Sequence, residues 1–320
     1  ISYTGRRVQQ TSLKPREGSN FTPTVMLNAY STPPKHRAVL TSQTDLYMHV
    51  LGENKNVNIF FKHEIIVHLN GIDEDTEKYL NSGKILFTKS NENIGLCSGV
   101  NKATSLSSKE YVLYSHDDMY FLPKWDNALA DELTDINNDR FYLSMTQIAA
   151  TGPVKGSIQH IQYDCGDIIE NFDKEKLLKN FNSFNFHDLQ GSHWAPHLIP
   201  KKLWDRVGGF SEEFNPGFAS DPDLNLKLWI EGTRIFKSVS RSRLYHFGSV
   251  TTRKNKDIIR NNGKRTFLLK WKFTVEFFTK HYLKRGSIYT GPLNSPSKNI
   301  IYYFDYLISK IKYLIAKFLK

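Results

Sequence analysis

The chain has 320 residues and a mass of 37.0 kDa, and its 39% hydrophobic, 13% aromatic and 23% charged residues exclude a mini-protein and a disordered or low-complexity chain. Its two cysteines, Cys97 and Cys165, exclude a disulfide framework and a cysteine-based zinc site, and they favour a reducing compartment. No apolar stretch has the length of a spanning helix, and the polar N-terminal residues contain no apolar signal core. We therefore expect a cytoplasmic protein.

The formal net charge of +11 is concentrated at one end of the chain. Residues 253–320 contain 16 Lys or Arg and three acids, so that this segment carries a net charge of +13 and the remainder −2. The partner of this segment should be anionic. A lipid surface or an acidic polymer is favoured over nucleic acid.

Residues 1–22 show no hydrophobic period and predict an extended polar arm. After them come short apolar runs rich in Ile and Val, separated by segments of helical length. Such runs predict strands of a mainly parallel sheet in an α/β domain, with ligands at the carboxyl ends of the strands. The runs are residues 25–27, 64–67, 84–87 and 111–114.

A loop rich in small residues, 91–102, joins the third run to a predicted helix. Small residues at a helix start leave backbone N–H groups open to an anion, and Lys102 would add positive charge. The alternative is structural, with Ser98 as an N-cap and Gly95 as a turn residue.

Two adjacent carboxylates, Asp117 and Asp118, follow the fourth run directly after His116. Carboxylate oxygens at the end of a buried strand suit a divalent cation that shares its ligands with a substrate phosphate. The alternative is that the pair only caps the following turn or helix.

The second half of the chain, 141–247, has strand-like runs at 141–146 and 233–238 and a predicted helix over 222–232. Asp221 precedes Pro222, so we expect it to be the N-cap, and it could also act as a general base if it faces a cleft. His246 follows a strand-like segment, and its imidazole is either structural or completes the shell of a cation held by Asp118.

The order of these features resembles the GT-A fold of family 2 glycosyltransferases. The resemblance covers about residues 24–271. It rests on Val25-Met26-Leu27-Asn28-Ala29-Tyr30, residues 64–73, Asn93-Ile94-Gly95 with Asn101, His116-Asp117-Asp118, Gly208-Gly209-Phe210 with Glu212 or Glu213, Asp221-Pro222-Asp223-Leu224, Tyr245-His246 and Lys270-Trp271.

This resemblance implies an inverting glycosyltransferase with a GT-A domain over residues 23–250, whose nucleotide-binding half is 23–122 and whose acceptor half is 123–250. Asp221 would be the catalytic base, and Asp118 and His246 would bind Mn²⁺ or Mg²⁺. Trp194 and Asp223 would contact the acceptor. The nucleotide sugar would be bound by Ala29, Tyr30, Asn70, Asn93, Gly95, Asn101, Lys102, Asp117 and Asp118.

Three positions depart from the family pattern. Leu69, followed by Asn70, stands where an Asp usually contacts the base, so the nucleotide is open, with uridine the first expectation. His116 replaces the first motif aspartate, and Ser220 replaces a Glu that often precedes the catalytic Asp.

The C-terminal segment, 251–320, predicts basic amphipathic helices. Near its end, apolar residues are spaced alternately four and three residues apart, which is the heptad spacing of helices that pair in a coiled coil. Further isoleucines make the apolar face of the helix wider than the narrow stripe of a coiled coil. A broad apolar face with lysine flanks and many aromatic residues favours a membrane surface over an oligomer, and both can coexist. The alternative is a helix that packs on its own domain.

Two other functions compete with sugar transfer. A nucleotidyltransferase would also use a metal and carboxylates on an α/β sheet. It would need a glycine-rich, basic loop after the first strand, and the loop after the first apolar run contains no glycine. A polyanion-binding protein with a degenerate transferase core would explain the three departures, whereas the presence of Asp118 and Asp221 argues against it.

Overall fold

The structure is a computed structural model and describes residues 24–30, 63–72, 74–116, 118–136, 138–150, 160–168, 171–192, 194–247 and 262–318. The predicted arm over 1–22 lies outside these residues, as does Asp117. In the first strand the side chains described are those of Thr24 and Met26.

Ten strands are formed by the described residues, and every strand-like run predicted from the sequence lies within or next to one of them. They are β1 (Thr24–Tyr30), β2 (Glu64–Asn70), β3 (Leu86–Ser90), β4 (Tyr111–His116), β5 (Met119–Phe121), β6 (Phe141–Ala149), β7 (His160–Gln162), β8 (Leu189–Gln190), β9 (His197–Pro200) and β10 (Ile235–His246).

All ten strands belong to one sheet, with the order β3-β2-β1-β4-β9-β6-β10-β5 and with β7 beside β6 and β8 beside β10. The strands β3, β2, β1 and β4 are parallel. The last six residues of β2 are all buried, as expected of a parallel strand covered on both faces, whereas the residues of the edge strand β3 are exposed or half-buried. This half of the sheet is what the sequence predicted.

The other half of the sheet corrects the prediction of a mainly parallel arrangement. Strand β9 lies antiparallel between β4 and β6, and β5 and β8 are antiparallel to β10, so the sheet is mixed. These three strands have two to four residues each. A strand that short carries too few residues to show a period in the sequence.

Nine α-helices accompany the sheet within the described residues. They are α1 (Glu74–Ser82), α2 (Gly95–Ser105), α3 (Trp125–Asp135), α4 (Lys174–Asn180), α5 (Lys201–Val207), α6 (Ser220–Ile230), α7 (Gly263–Trp271), α8 (Val275–His281) and α9 (Ile300–Phe318), with a 3₁₀ turn at Glu212–Phe214.

The helices α7, α8 and α9 follow the sheet domain and pack on one another. Phe267 and Phe278 join the main apolar core, so α7 and α8 are continuous with the body of the protein. No helix among the described residues is both long enough and apolar enough to cross a membrane. The predicted domain bounds at 23–250 and 251–320 stay a prediction.

Candidate active site

Three potential metal ligands meet where β4 and β10 end. His116 is the last residue of β4, and Asp118 lies in the short connection to β5. His246 is the last residue of β10 and is paired with Met119 of β5. A backbone hydrogen bond from Phe247 N–H to the Asp118 carbonyl, 3.1 Å long, fixes the two chain segments side by side.

The side chains of these residues form a compact cluster. His246 Nε2 lies 3.2 Å from Asp118 Oδ1, and His116 Nδ1 lies 3.9 Å from the same oxygen. One ligand atom from each residue falls within 4.8 Å of the other two. The structure therefore brings together Asp118 and His246, which the sequence proposed as a pair. His116 joins them as a third candidate ligand. From the sequence it was noted only as the residue that replaces the first aspartate of the family motif.

Gln147 of β6 sets the orientation of the His246 ring. Its Nε2 donates to the Ala195 carbonyl at 2.6 Å, which leaves its Oε1 to accept from His246 Nδ1 at 3.0 Å. The Nδ1 atom then carries the ring proton, and in a neutral imidazole Nε2 presents a lone pair to Asp118. No sequence pattern predicts a role for Gln147, because β6 reaches His246 only through the pairing of β6 with β10.

The cluster fits a divalent cation by its chemistry. An imidazole lone pair and a carboxylate oxygen 3.2 Å apart are two acceptors, and such a contact is stable only with a second ring proton or a cation between them. Burial lowers the pKa of His116 to about 4, so this imidazole is neutral and can ligate. Two nitrogen donors and one carboxylate oxygen suit Mn²⁺ and related metals.

Asp221 lies at the start of α6, and its pKa is raised by burial to about 7. The helix begins at Ser220 with Ala219 before it, so the prediction that Asp221 is the N-cap is wrong. Proline fits anywhere in the first turn, where its missing N–H is not needed, and Pro222 therefore does not mark the first helical position. A half-buried carboxyl with this pKa can exchange a proton near neutral pH.

A line of contacts between buried rings leads from the cluster to Tyr142 of β6. The Tyr114 ring lies 5.4 Å from the His116 ring and 5.3 Å from the His197 ring. His197 Nδ1 is 2.8 Å from the hydroxyl of Tyr142, whose pKa is raised first by burial and then by the negative charge of Asp221. Asp221 thus acts electrostatically on Tyr142, and Tyr142 is joined to the cluster through His197, Tyr114 and His116.

Asp223, predicted to contact the acceptor, is fully buried and fully hydrogen-bonded. Its Oδ1 accepts from Trp271 Nε1 at 2.7 Å and lies 3.0 Å from Lys270 Nζ, and its Oδ2 accepts from Ser211 Oγ at 2.6 Å. These bonds join α6 to α7. The acceptor role stays a prediction, and the geometry favours a structural one.

The N-terminus of α2 is closed to an anion, which corrects the sequence expectation. The Gly95 N–H donates to Asn93 Oδ1 at 2.9 Å and the Leu96 N–H to the Pro216 carbonyl at 3.2 Å. The next two N–H groups, of Cys97 and Ser98, donate to Asn215 Oδ1 at 2.9 and 3.4 Å. Protein acceptors thus satisfy every donor of the first turn.

Several other predicted nucleotide-sugar ligands hold loops in place. Asn70 accepts from the Ile94 N–H at 2.7 Å and donates to the Gly95 carbonyl at 3.2 Å. Asn101 accepts from the Phe210 N–H and donates to its carbonyl, at 2.9 and 2.8 Å. Gly95 has φ +84°, and a Cβ there would lie 2.4 Å from Asn215 Oδ1. These residues position the cleft, and direct ligand contacts by them stay predictions.

The remaining predicted residues lie on neighbouring elements or outside the described side chains. Ala29 and Tyr30 end β1, with Tyr30 in register with Asn70 of β2, but their side chains are not described. Lys102 is exposed on α2. Trp194 is half-buried, and its Nε1 donates to the Met145 carbonyl at 3.3 Å.

Comparison with known proteins leaves the family open. No family model matches the chain, and no curated protein matches it. The crystal structure of S. aureus TarS 1-349 is similar over 70% of this chain and 60% of that chain, with 14% sequence identity and a TM-score of 0.46. The resemblance to family 2 glycosyltransferases stays a prediction.

Proposed function

We propose that the chain is an inverting, metal-dependent glycosyltransferase. It would move a sugar from a nucleotide-diphosphate donor, with a UDP-sugar as the first expectation, to a hydroxyl of a glycan or lipid-linked acceptor in cell-surface polysaccharide synthesis. One observation carries the proposal. The chain combines a three-ligand cluster with a carboxyl group whose pKa is about 7, and a line of buried rings leads from the cluster to Tyr142, on which the charge of that carboxyl acts.

On the donor side, His116, Asp118 and His246 would hold Mn²⁺ or Mg²⁺. When bound, the cation would neutralise the charge that develops on the departing diphosphate. Gln147 would keep the Nε2 lone pair of His246 directed into the cluster. Ala29, Tyr30 and Asp117 would receive the nucleoside, at the ends of the parallel strands where such ligands bind.

On the acceptor side, Asp221 would take the proton of the attacking hydroxyl. The acceptor oxygen would form a bond to the anomeric carbon as the bond from that carbon to the diphosphate oxygen breaks. Attack and departure on opposite faces of the sugar ring invert the configuration. A pKa near 7 suits this step, because the base is then half-ionised at neutral pH and still basic enough to accept the proton.

A lipid-linked acceptor would place the reaction at a membrane surface. The proposal therefore includes a peripheral position of the protein on the cytoplasmic face of a membrane. The basic charge of residues 253–320 supports this part, since cytoplasmic leaflets carry anionic lipids.

The test is calorimetric titration of UDP, GDP and dTDP into the full chain, each with and without Mn²⁺. We expect one nucleotide to bind only with Mn²⁺. Asp118→Asn removes a proposed metal ligand, so this Mn²⁺-dependent binding should be lost in the variant. The matched control is Asp205→Asn, which changes an exposed aspartate on α5 paired with Lys201. It should bind as the wild type does.

Two results would contradict the proposal. If none of the three nucleotides binds, with or without Mn²⁺, the polyanion-binding alternative gains support. If a nucleotide-sugar donor is turned over with release of pyrophosphate and not of a nucleoside diphosphate, the chemistry is that of a nucleotidyltransferase.

A further inference from the structure

Helix α9 packs on the protein through one narrow face. Ser309 is buried there, and its Oγ accepts from the Thr274 N–H at 2.7 Å. Tyr302 is also buried and lies against Phe277, with ring centroids 5.1 Å apart. Arg265 of α7 donates to the Ala316 carbonyl at 2.8 Å. The attachment therefore uses polar, small and aromatic side chains.

The opposite face of α9 is apolar and exposed. Nine aliphatic or phenylalanine side chains occupy it, and at 100° per residue they span roughly 140° of the helix circumference. Within the part of the chain that the structure describes, none of them belongs to the hydrophobic core. They are Ile300, Ile301, Phe304, Leu307, Ile308, Ile311, Leu314, Ile315 and Phe318, with exposed fractions from 37% to 84%.

Basic side chains border this apolar face on both sides. Lys312 lies on one border, and Lys310 and Lys317 on the other, with the half-exposed Tyr303 beside them. Asp305 is the acid of this helix, and Lys280 and His281 of α8 pair with it at 2.6 and 2.7 Å. The surface that faces away from the body is thus apolar at its centre and positive at its edges.

We propose that this outer face of α9 docks on an anionic lipid bilayer, with the apolar side chains at the level of the headgroups and the lysines against the lipid phosphates. The inference deepens the peripheral position in the proposed function. A helix with this pattern lies in the plane of the membrane interface. Lysines at the borders reach the phosphates while their stems stay on the apolar side.

Charge argues against a second copy of the chain as the occupant. Pairing of two α9 helices through their apolar seams would bring lysines together and would offer them no acid, since Asp305 is already paired within its own chain. The helix has 19 residues, fewer than three heptads. Anionic lipid, by contrast, complements the lysines along the whole length of the helix.

The test is co-sedimentation of the full chain with large unilamellar vesicles of phosphatidylcholine alone or with phosphatidylglycerol at a ratio of 7:3. We expect binding to the mixed vesicles and at least about tenfold weaker binding to neutral ones. Leu307→Gln with Ile311→Gln should weaken binding about tenfold or more. The matched control, Leu86→Gln with Ile230→Gln, replaces two similarly exposed side chains on β3 and α6 and should bind as the wild type does.

A second pair of variants separates charge from apolar contact. Lys312→Gln with Lys317→Gln should weaken binding to the mixed vesicles about tenfold, whereas Lys78→Gln with Lys202→Gln should not. Equal binding of all variants, or a dimer in analytical ultracentrifugation that Leu307→Gln with Ile311→Gln dissociates, would overturn the proposal. Nucleotide binding by the same variants in solution is a separate readout, so that a failed donor site is distinguished from a failed docking face.

Discussion

The N-terminus of α2 and the end of β4 lie at the same edge of the parallel half of the sheet, and they use their polar groups in opposite ways. At α2, four backbone donors meet acceptors from Asn93, Asn215 and Pro216. At β4, the Asp118 carboxylate lies 3.2 Å from His246 Nε2, which is a second acceptor when the ring is neutral, because Nδ1 then donates the ring proton to Gln147. The first arrangement fills its donors with protein acceptors, whereas the second brings together groups whose chemistry suits a cation. A loop of small residues before a helix therefore does not by itself predict an anion site. The prediction also requires that the backbone N–H groups have no acceptor within the protein.

The largest effect on the reaction is expected for Asp221→Asn. Because the amide cannot take the acceptor proton, the rate of transfer should fall by about 10²–10⁴, the usual contribution of a general base. Mn²⁺-dependent nucleotide binding should stay within twofold of the wild type. Transfer assays and calorimetry on one preparation measure both values, and full activity of the variant would remove Asp221 from the mechanism.

A smaller effect is expected for Gln147→Leu, which changes the support of the metal-ligand cluster at the end of β4. The variant removes the acceptor that holds the Nδ1 proton of His246, so Mn²⁺ affinity should fall about 10–100-fold. Electron paramagnetic resonance of free Mn²⁺ measures this without any turnover. Gln162→Leu, at an exposed glutamine that ends β7, is the control and should leave the affinity unchanged.

The third prediction concerns pH. Transfer needs ionised Asp221, so kcat/KM should rise with pH, fall about tenfold per unit below the pKa of about 7, and reach a plateau above it. Burial raises this pKa in the folded state above its unfolded value. The carboxyl therefore stabilises the fold least above pH 7, and Asp221→Asn should raise the Tm more at pH 8 than at pH 4. A kcat/KM that is flat between pH 5 and 8 would contradict the assignment.

The smallest effect on the reaction is expected for Asn215→Ala, which tests the α2 side of the comparison. Loss of its Oδ1 leaves the N–H groups of Cys97 and Ser98 without their acceptor, so the free energy of unfolding should fall by about 1–3 kcal/mol. Thermal or urea unfolding measures this. Mn²⁺ affinity should not change, and a large loss of it would mean that the α2 terminus does belong to the ligand site.

The sequence was sufficient to predict the strands of the parallel half, helix α6 and a shared site for Asp118 and His246. Apolar runs and the order of motifs are local signals, so they can be recognised without the fold. The contributions of His116, Gln147 and Asn215 could not be recognised in this way. Each acts across the fold: Gln147 through the pairing of β6 with β10, and Asn215 over more than 110 residues. The short antiparallel strands were missed because they carry no measurable period.

The sequence by itself determined the α/β class, the basic amphipathic C-terminus and the carboxylates that carry the proposed chemistry, since these depend on residue type and local spacing. Only the tertiary structure decided that the sheet is mixed, that α2 is capped by Asn215, that Asp223 joins α6 to α7, and that the apolar face of α9 points away from the body. These properties depend on which groups meet across the fold, and hydrogen-bond partners and burial are fixed only when the chain has folded.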